Sequence, residues 1–397
     1  MQAVVEHPLI TALRQRAPAF VELRRDLHRH PELGLHETRT AAVVAERLQA
    51  FGYAVHRGLA TTGVVGTLQR GNGPRRLGLR ADMDALPLQE TSGRAWASVH
   101  AGVMHACGHD GHTATLLAAA EHLASEGRFN GTLHLIFQPA EEHPGGAKLM
   151  VEQGLFERFP CDAVFALHNM PGVPSGHFVF RDGAMMASSD DVTVTLDGTG
   201  GHGAMPHLAA DPVVAAAAIV MALQTVVSRN VDPQAAAVVT VGALHAGEAN
   251  NVIPAQAVLQ LSVRAHDAAV RDLLEARIHA LVQAQAASFG VHATVDYRRD
   301  YPVLVNHTAE TALARDVARE LVGDTDFTSQ GPALGGSEDF AVMLQHVPGS
   351  YLLIGNGSGP GSCMVHHPGY DFDDTNIAIG AAFWVRLAER FLSSTAD

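Results

Sequence analysis

Residues 77–84 read LGLRADMD, residues 132–142 read TLHLIFQPAEE and residues 163–169 read AVFALHN. Each is a short apolar run that ends in side chains able to bind a metal or move a proton. The strands Leu77–Ala81, Thr132–Phe137 and Ala163–Leu167 lead directly into Asp82-Met83-Asp84, Glu141-Glu142 and His168-Asn169. Near-continuous apolar strands separated by helical patterns predict a mostly parallel sheet covered on both faces. In such a sheet, sites form beyond the carboxyl ends of the strands. A helix over Thr113–Ser125, with Leu116, Leu117, Ala120 and Leu123 inward and Gly127 as its stop, connects the first two runs. Just before it lies HACGHDGH, residues 105–112, and far downstream lies Val365-His366-His367-Pro368, after the Gly-rich turn 355–361.

Working outward, Pro18 is read as opening a helix that carries Phe20, Leu23 and Leu27. A second helix through Val44, Leu48 and Phe51 stops at Gly52. A strand over Gly63–Leu68 follows. The pattern changes near Ser188. A strand over Asp190–Leu196 precedes a helix capped by Asp211-Pro212, with a stripe of Val213, Ala216, Val220, Leu223 and Val227. Strands Ala237–Leu244 and Ala257–Val263, a helix over Ala268–Ser288 with Val270, Leu274, Ile278 and Leu281 inward, and a strand over His292–Tyr297 complete β-α-β-β-α-β, the ferredoxin-like unit. Residues 188–300 are therefore expected to be an inserted domain, and residues 1–187 with 301–397 a discontinuous first domain. In the latter the α/β pattern resumes with a helix near 308–322, a strand at Tyr351–Ile354 and a helix near 375–393.

Composition narrows the partners. Of 397 residues, 27 are Lys or Arg and 41 are Asp or Glu, a net charge of −14, which argues against nucleic acid or an anionic membrane as partner. Apolar residues make up 47%, enough for large cores, and about 150 residues per domain gives two or three domains. Three cysteines do not make a disulfide framework. No uncharged apolar run reaches membrane-spanning length and the first residues lack a signal-peptide pattern, so the expected location is the cytoplasm. Histidine stands out, with 24 copies.

Thiolate and imidazole at i, i+2 in a Gly-containing turn, Cys107 and His109, suit a borderline divalent ion. Alone, Cys107 reads first as a small buried side chain; a further reading makes it a nucleophile with a histidine base. Neighbouring carboxylates oppose the nucleophile by raising the thiol pKa. Glu141 and Glu142 read as a solvated turn, or as a metal ligand beside a general base; Pro139 and Pro144-Gly145-Gly146 constrain the loop that holds them. Asp82 and Asp84 share one face of an extended strand and can ligate, or accept the N–H of a ligating histidine.

Four segments together, RADMDALP (80–87), MHACGHD (104–110), FQPAEE (137–142) and LHN (167–169), resemble the amidohydrolase branch of the two-metal aminoacylase/carboxypeptidase family. That branch includes hippurate hydrolase, plant auxin-conjugate hydrolases and N-acetyl-diaminopimelate deacetylase. The likeness extends to RRDLH (24–28), PELG (31–34), GGHGAMP (200–206), NVIP (251–254) and GSEDF (336–340). The resemblance implies that Cys107, His109, Glu142, His168 and His366 hold two divalent ions per subunit, Zn²⁺ or Mn²⁺ with Co²⁺ as a further option. It implies Glu141 as general base, Asp82 as a catalytic residue and Asp84 as the partner of a ligating histidine. It implies a zinc-peptidase-like α/β domain with an inserted ferredoxin-like lid, and a homodimer, or dimer-based tetramer, formed through that lid. The position of His367 is often Asn or Ser in the family, so here it adds an imidazole. The residue matching His202 reaches an active site, its own or a partner's, to stabilise the oxyanion.

The implied reaction is cleavage of an N-acyl amino acid. Water activated between two cations gives its proton to Glu141, attacks the acyl carbonyl, and Glu141 protonates the leaving amine. Asn251 and Arg264, at lid strand ends, are candidates to hold the substrate α-carboxylate; Arg264 reads equally as a solvated strand residue. The competing readings are a dipeptidase or carboxypeptidase of the same family, a Cys107-dependent amidase, and a binding protein without turnover. The last is disfavoured because neither ligand nor base is missing.

Overall fold

The computed structural model describes residues 6–359 and 362–393. Pro360 and Gly361, in the Gly-rich turn, lie outside the described residues. So do the first five residues and the last four.

The chain folds as two units. The first comprises residues 1–183, 305–332 and 339–397; the second comprises residues 184–304 and 333–338. The insertion thus starts and ends about four residues further out than the periodicity suggests. A short downstream segment, 333–338, also belongs to it rather than to the first domain. That segment carries no periodic pattern and joins by a bridge between Leu334 and Met186, a non-local contact that sequence spacing does not reveal.

The first unit is built on an eight-stranded sheet. Its centre is four adjacent parallel strands: Gly131–Gln138, Arg76–Asp82, Ala163–Met170 and Gly349–Gly355. They are buried along nearly their whole length, as expected of strands covered on both faces. Antiparallel strands Ala54–Leu59 and Gly63–Arg70 extend one side; the short strands Phe178–Val179 and Phe327–Thr328 extend the other. The short strands escape sequence reading because two residues carry no period. The helices Pro8–Arg29, His109–Ser125 and Asn376–Phe391 pack on one another and bury Leu27, Leu117 and Phe383 in one core.

Pro18 does not open the first helix. Pro8 does, at the first turn and capped by His7, and Pro18 sits inside. Its ring is exposed, so the carbonyl it leaves unpaired faces water. The second helix, Thr38–Phe51, stops at Gly52 with φ 92°, the left-handed stop that the glycine suggested.

The second unit is a four-stranded antiparallel sheet in the order Ala237–Ala246, Gln256–Ala265, Ser189–Asp197, His292–Tyr301, with helices Pro212–Asn230 and Ala268–Ser288. This is the ferredoxin-like arrangement. Its own core includes Val194, Ile219, Leu259 and Ile278. The Pro212–Asn230 helix is long and apolar enough, by composition alone, to cross a membrane; here one face joins this core. That face is Ala215, Ala216, Ile219, Leu223 and Val226, and Val213 is exposed rather than buried. The residues 213–223 are apolar on every side, so periodicity alone leaves the rotation of the helix undetermined. In the Ala268–Ser288 helix the buried positions are Arg271, Leu274, Ile278, Val282 and Ala286, with Val270 and Leu281 only half-buried.

Candidate metal centre

Asp82 pairs with Gln138 and Arg80 with Ala166, so Asp82, Gln138 and His168 stand level at the carboxyl ends of three adjacent parallel strands. The helix that follows the Cys107 turn starts at His109. Gly108 precedes it at φ 93°, and a Cβ there would lie 2.3 Å from Asn169 Nδ2 and 2.4 Å from the Tyr370 hydroxyl. Only glycine lets the turn approach the strand this closely.

Hydrogen bonds fix how each imidazole points. His109 Nδ1 is 3.1 Å from Asp84 Oδ1 and donates to it, and its Nε2, buried, has no hydrogen-bond partner. His168 Nδ1 donates to the Asn169 carbonyl at 2.6 Å and its Nε2 lies 3.3 Å from Cys107 Sγ. Both rings therefore have Nδ1 occupied and leave Nε2 as the nitrogen available to an ion. Asp84 also accepts the Glu142 backbone N–H at 2.9 Å, so one carboxylate orients two candidate ligands. His366, at φ 64°, is held by its N–H to the Ala106 carbonyl at 2.7 Å. Its Nε2 is 3.1 Å from Glu142 Oε1, yet that oxygen makes no hydrogen bond of acceptable geometry.

The ligand atoms form three overlapping groups, each with all atoms within 4.8 Å of one another: Cys107–His109–His168, Cys107–Glu142–His366 and His109–Glu141–Glu142. Cys107, His109 and Glu142 each belong to two of these groups. The electrostatics agree with this donor set. Burial pushes the Cys107 thiol up, and Glu142, Glu141 and Asp82 push it further. A thiol held this way is a poor nucleophile, and becomes a thiolate where a cation is at hand. Burial disfavours the charged form of His109, but Asp82, Asp84 and Glu142 outweigh it and raise the group to about 10. Burial, reinforced by His112, holds His168 well below the usual imidazole range. A buried pocket that retains protons on a thiol and an imidazole is short of positive charge, and divalent ions fit it.

Asp82 is fully buried. Its Oδ2 accepts from Arg80 Nη1 at 2.6 Å and lies 3.8 Å from His109 Nε2; its Oδ1 accepts from His112 Nδ1 at 2.7 Å. Burial works against its ionisation, but His109, Arg80 and His112 hold it well below the usual carboxylate range. Sequence reasoning gave no role to His112, Asn169 or Tyr370. His112 Nε2 accepts the Asn169 N–H at 3.0 Å, Asn169 Nδ2 donates to the Cys107 carbonyl at 2.6 Å, and the Tyr370 hydroxyl donates to Asn169 Oδ1 at 2.7 Å. The available signal for His112 was its i, i+3 spacing from His109 on one helix face. His367 does not add an imidazole to the cluster by hydrogen bonding; its Nδ1 accepts from the nearby Gly369 N–H at 3.0 Å.

The remaining candidates belong to the second unit. His202 is exposed on the short strand Gly201–His202, paired with Val252–Ile253, and its Nδ1 accepts the Ala204 N–H at 3.0 Å. The neighbouring Gly203 N–H donates to the Asn251 carbonyl at 2.8 Å, so these two motifs come together. Arg264 lies apart from them on the Gln256–Ala265 strand, with Nη1 donating to Ser337 Oγ at 3.0 Å.

Residues 78–390 match the profile of peptidase family M20/M25/M40. The chain is 44% identical to a hippurate hydrolase of Campylobacter jejuni, over 94% of this chain and 96% of that one. It is 38% identical to an N-acetyl-L-cysteine deacetylase of Bacillus subtilis, over 95% and 89%. The solved structure of the Bacillus subtilis YXEP protein, a dinuclear metal-binding peptidase, superposes with a TM-score of 0.83 at 30% identity, covering 96% of this chain and 99% of that one. These matches show that the chain belongs to peptidase family M20/M25/M40.

Proposed function

We propose that this enzyme, a hydrolase of amide bonds, cleaves N-acyl amino acids to a carboxylic acid and an amino acid. The observation that carries the reading is the placing of Glu141 beside Glu142 and His109, in a group that continues into the Cys107-centred ligands. Cys107, His109, His168, Glu142 and His366 would hold two divalent ions, Zn²⁺ or Mn²⁺ with Co²⁺ as a further option. Such ions lower the pKa of bound water towards ~7 and polarise a carbonyl. Glu141, only 7% exposed, takes the proton of the attacking water and returns it to the leaving nitrogen. Asp82 keeps His112 and, through it, Asn169 in register. The pairing of a hippurate hydrolase with an N-acetyl-L-cysteine deacetylase among the relatives supports an acyl amide beside a free α-carboxylate as the substrate class.

In the second unit, His202 would donate to the developing oxyanion, worth about 3 kcal/mol for one such donor. Either Arg264 or Asn251, which lie apart in one subunit, would bind the carboxylate. The unit's exposed Val213, Val214 and Met221, with the edge strand Ala237–Ala246, support a homodimer formed through it; a monomer by light scattering would refute that assembly. The reaction is tested by screening N-acetyl, N-benzoyl and longer N-acyl amino acids together with dipeptides, with metal analysis of the same sample. Metal-dependent release of amino acid from the acyl series is expected. Turnover confined to dipeptides would overturn the substrate class, and full activity after thorough chelation would overturn the metal reading.

A further inference from the structure

The GSEDF motif and the Glu37 region take no part in the chemistry described so far, yet both reach the loop that carries Glu141. That loop joins the strand Gly131–Gln138 to the helix Gly146–Glu152. At its start, Gln138 Nε2 donates to both carboxylate oxygens of Asp339, at 2.8 and 2.9 Å. At its end, the Ala147 N–H donates to Asp339 Oδ2 at 2.8 Å. In its middle, the Ala140 N–H donates to Glu37 Oε1 at 2.8 Å, and Thr62 Oγ1 holds the other Glu37 oxygen at 2.6 Å. Glu37 and Asp339 are both fully buried.

The loop needs holding. Ala140 has φ 53°, a left-handed conformation uncommon for a residue with a Cβ, and it immediately precedes Glu141. The Ala140 carbonyl accepts from Gly145 and Gly146 N–H at 3.1 and 2.8 Å, folding the loop back on itself. Where Glu141 points is therefore set by whatever keeps Ala140 in this conformation and the loop ends together. Arg80 ties the same clamp to the strand end, donating to Gln138 Oε1 at 2.9 Å and to Asp339 Oδ1 at 3.2 Å.

We propose that Glu37 and Asp339 are positioning residues that set the catalytic geometry of Glu141 by clamping its loop at the middle and at both ends. The inference rests on Glu141 as the general base. A misplacement of about 1 Å in a reacting group costs on the order of 100-fold in rate. Glu37→Leu removes the acceptor of the Ala140 N–H, and Asp339→Asn turns an NH₂ towards the Ala147 N–H or the Gln138 amide. Each is expected to lower kcat about 10- to 100-fold, with KM and the metal content of the loaded enzyme close to wild type. The deciding measurement is a double-mutant cycle with Glu141→Gln, using the N-acyl amino acid turned over fastest in the screen above. On the Glu141→Gln background, Glu37→Leu and Asp339→Asn should add little further loss, because the group they position is gone. Losses that multiply on that background would overturn the clamp while leaving Glu141 as base. Normal turnover by Glu141→Gln itself would remove the base assignment, and the clamp with it. A variant whose kcat per metal-loaded site is unchanged although its Tm falls, or whose kcat returns to normal at saturating metal, also overturns it. Should one variant fail to fold, the other carries the cycle.

Discussion

Asp84 ligates no ion in the arrangement described, yet replacing it should empty the site. Its Oδ1 takes the His109 Nδ1 proton at 3.1 Å and its Oδ2 takes the Glu142 N–H at 2.9 Å, both in a buried setting. Asp84→Asn keeps one acceptor and substitutes a donor for the other. If the amide oxygen stays on the Glu142 N–H, the NH₂ faces His109 Nδ1 and favours the tautomer with its proton on Nε2, the nitrogen needed for the ion. If the amide flips, the Glu142 N–H faces a donor and the strand-end loop shifts. In both cases a hydrogen bond to a charged group is lost, worth about 1.5–3 kcal/mol. That corresponds to roughly 10- to 100-fold in metal affinity, the range expected when the partner of a ligating histidine is removed. The assay is calorimetric or chelator-competition titration of metal-free enzyme with Zn²⁺ and Mn²⁺, with circular dichroism to verify the fold. A dissociation constant within about twofold of wild type, in a folded Asp84→Asn protein, would refute the claim that His109 orientation controls binding.

Three further outcomes follow from other contacts. Gly108→Ala should displace the Asn169–Tyr370 pair, because its Cβ would fall within 2.4 Å of both side chains at a φ of 93°; lower metal occupancy and a lower Tm are expected, and an unchanged occupancy would count against that turn setting the site. In the second unit, the Asp190 carboxylate binds Arg271 Nε at 2.9 Å and accepts from the Tyr297 hydroxyl at 2.7 Å, so Asp190→Ala strands a buried guanidinium and should cost about 3–5 kcal/mol in urea unfolding; a loss under about 1 kcal/mol would show that water reaches Arg271. His28, whose charged form is opposed by burial but favoured more strongly by Asp110 and Glu90, has its pKa raised to about 9 from an unfolded value near 6.5. Its contribution is therefore complete below pH ~6.5 and is lost as pH rises through 9. The fall in Tm between pH 7 and 10 should be shallower in His28→Gln than in wild type, and parallel curves would dismiss this linkage.

How far the sequence discloses this site depends on the kind of contact involved. Cys107, His109, Glu142 and Asp84 are legible because each follows a strand or opens a helix, and strand ends in a parallel sheet converge. His168 is legible for the same reason. His366 comes from a loop with no period, and only the family resemblance identifies it. Glu37 and Asp339, whose hydrogen bonds reach segments distant in sequence, leave no local mark. Glu37 sits at the start of a helix and looks like a solvated acid, and its burial is decided by Ala140, more than 100 positions away. Asp339 is likewise buried against Gln138, about 200 positions upstream. The Pro212–Asn230 helix fails differently: its type and cap are evident, but apolar residues all round it leave the buried face undetermined. Local chemistry thus fixes elements and strand-end ligands, whereas rotation and buried polar pairing are settled by packing.

The charge distribution links stability to function. Asp82, Asp84, Glu141 and Glu142 crowd a small volume around the ligand atoms. Arg80 and the imidazole of His112 satisfy Asp82, but Glu142 Oε1 and His109 Nε2 are left without hydrogen-bond partners. Buried groups in that condition cost free energy that packing elsewhere has to offset. Without cations, burial and the nearby carboxylates keep the Cys107 thiol neutral, and Asp82, Asp84 and Glu142 overcome burial to keep His109 protonated. Divalent ions would supply positive charge, displace those protons and satisfy both orphaned atoms, so ion binding and folding of the first unit are thermodynamically linked. The same arrangement suits the proposed reaction: carboxylates fixed by strand ends and by buried partners need not reorganise when charge develops on a substrate, and Glu141, lying among them, would be the one to take up and release the proton.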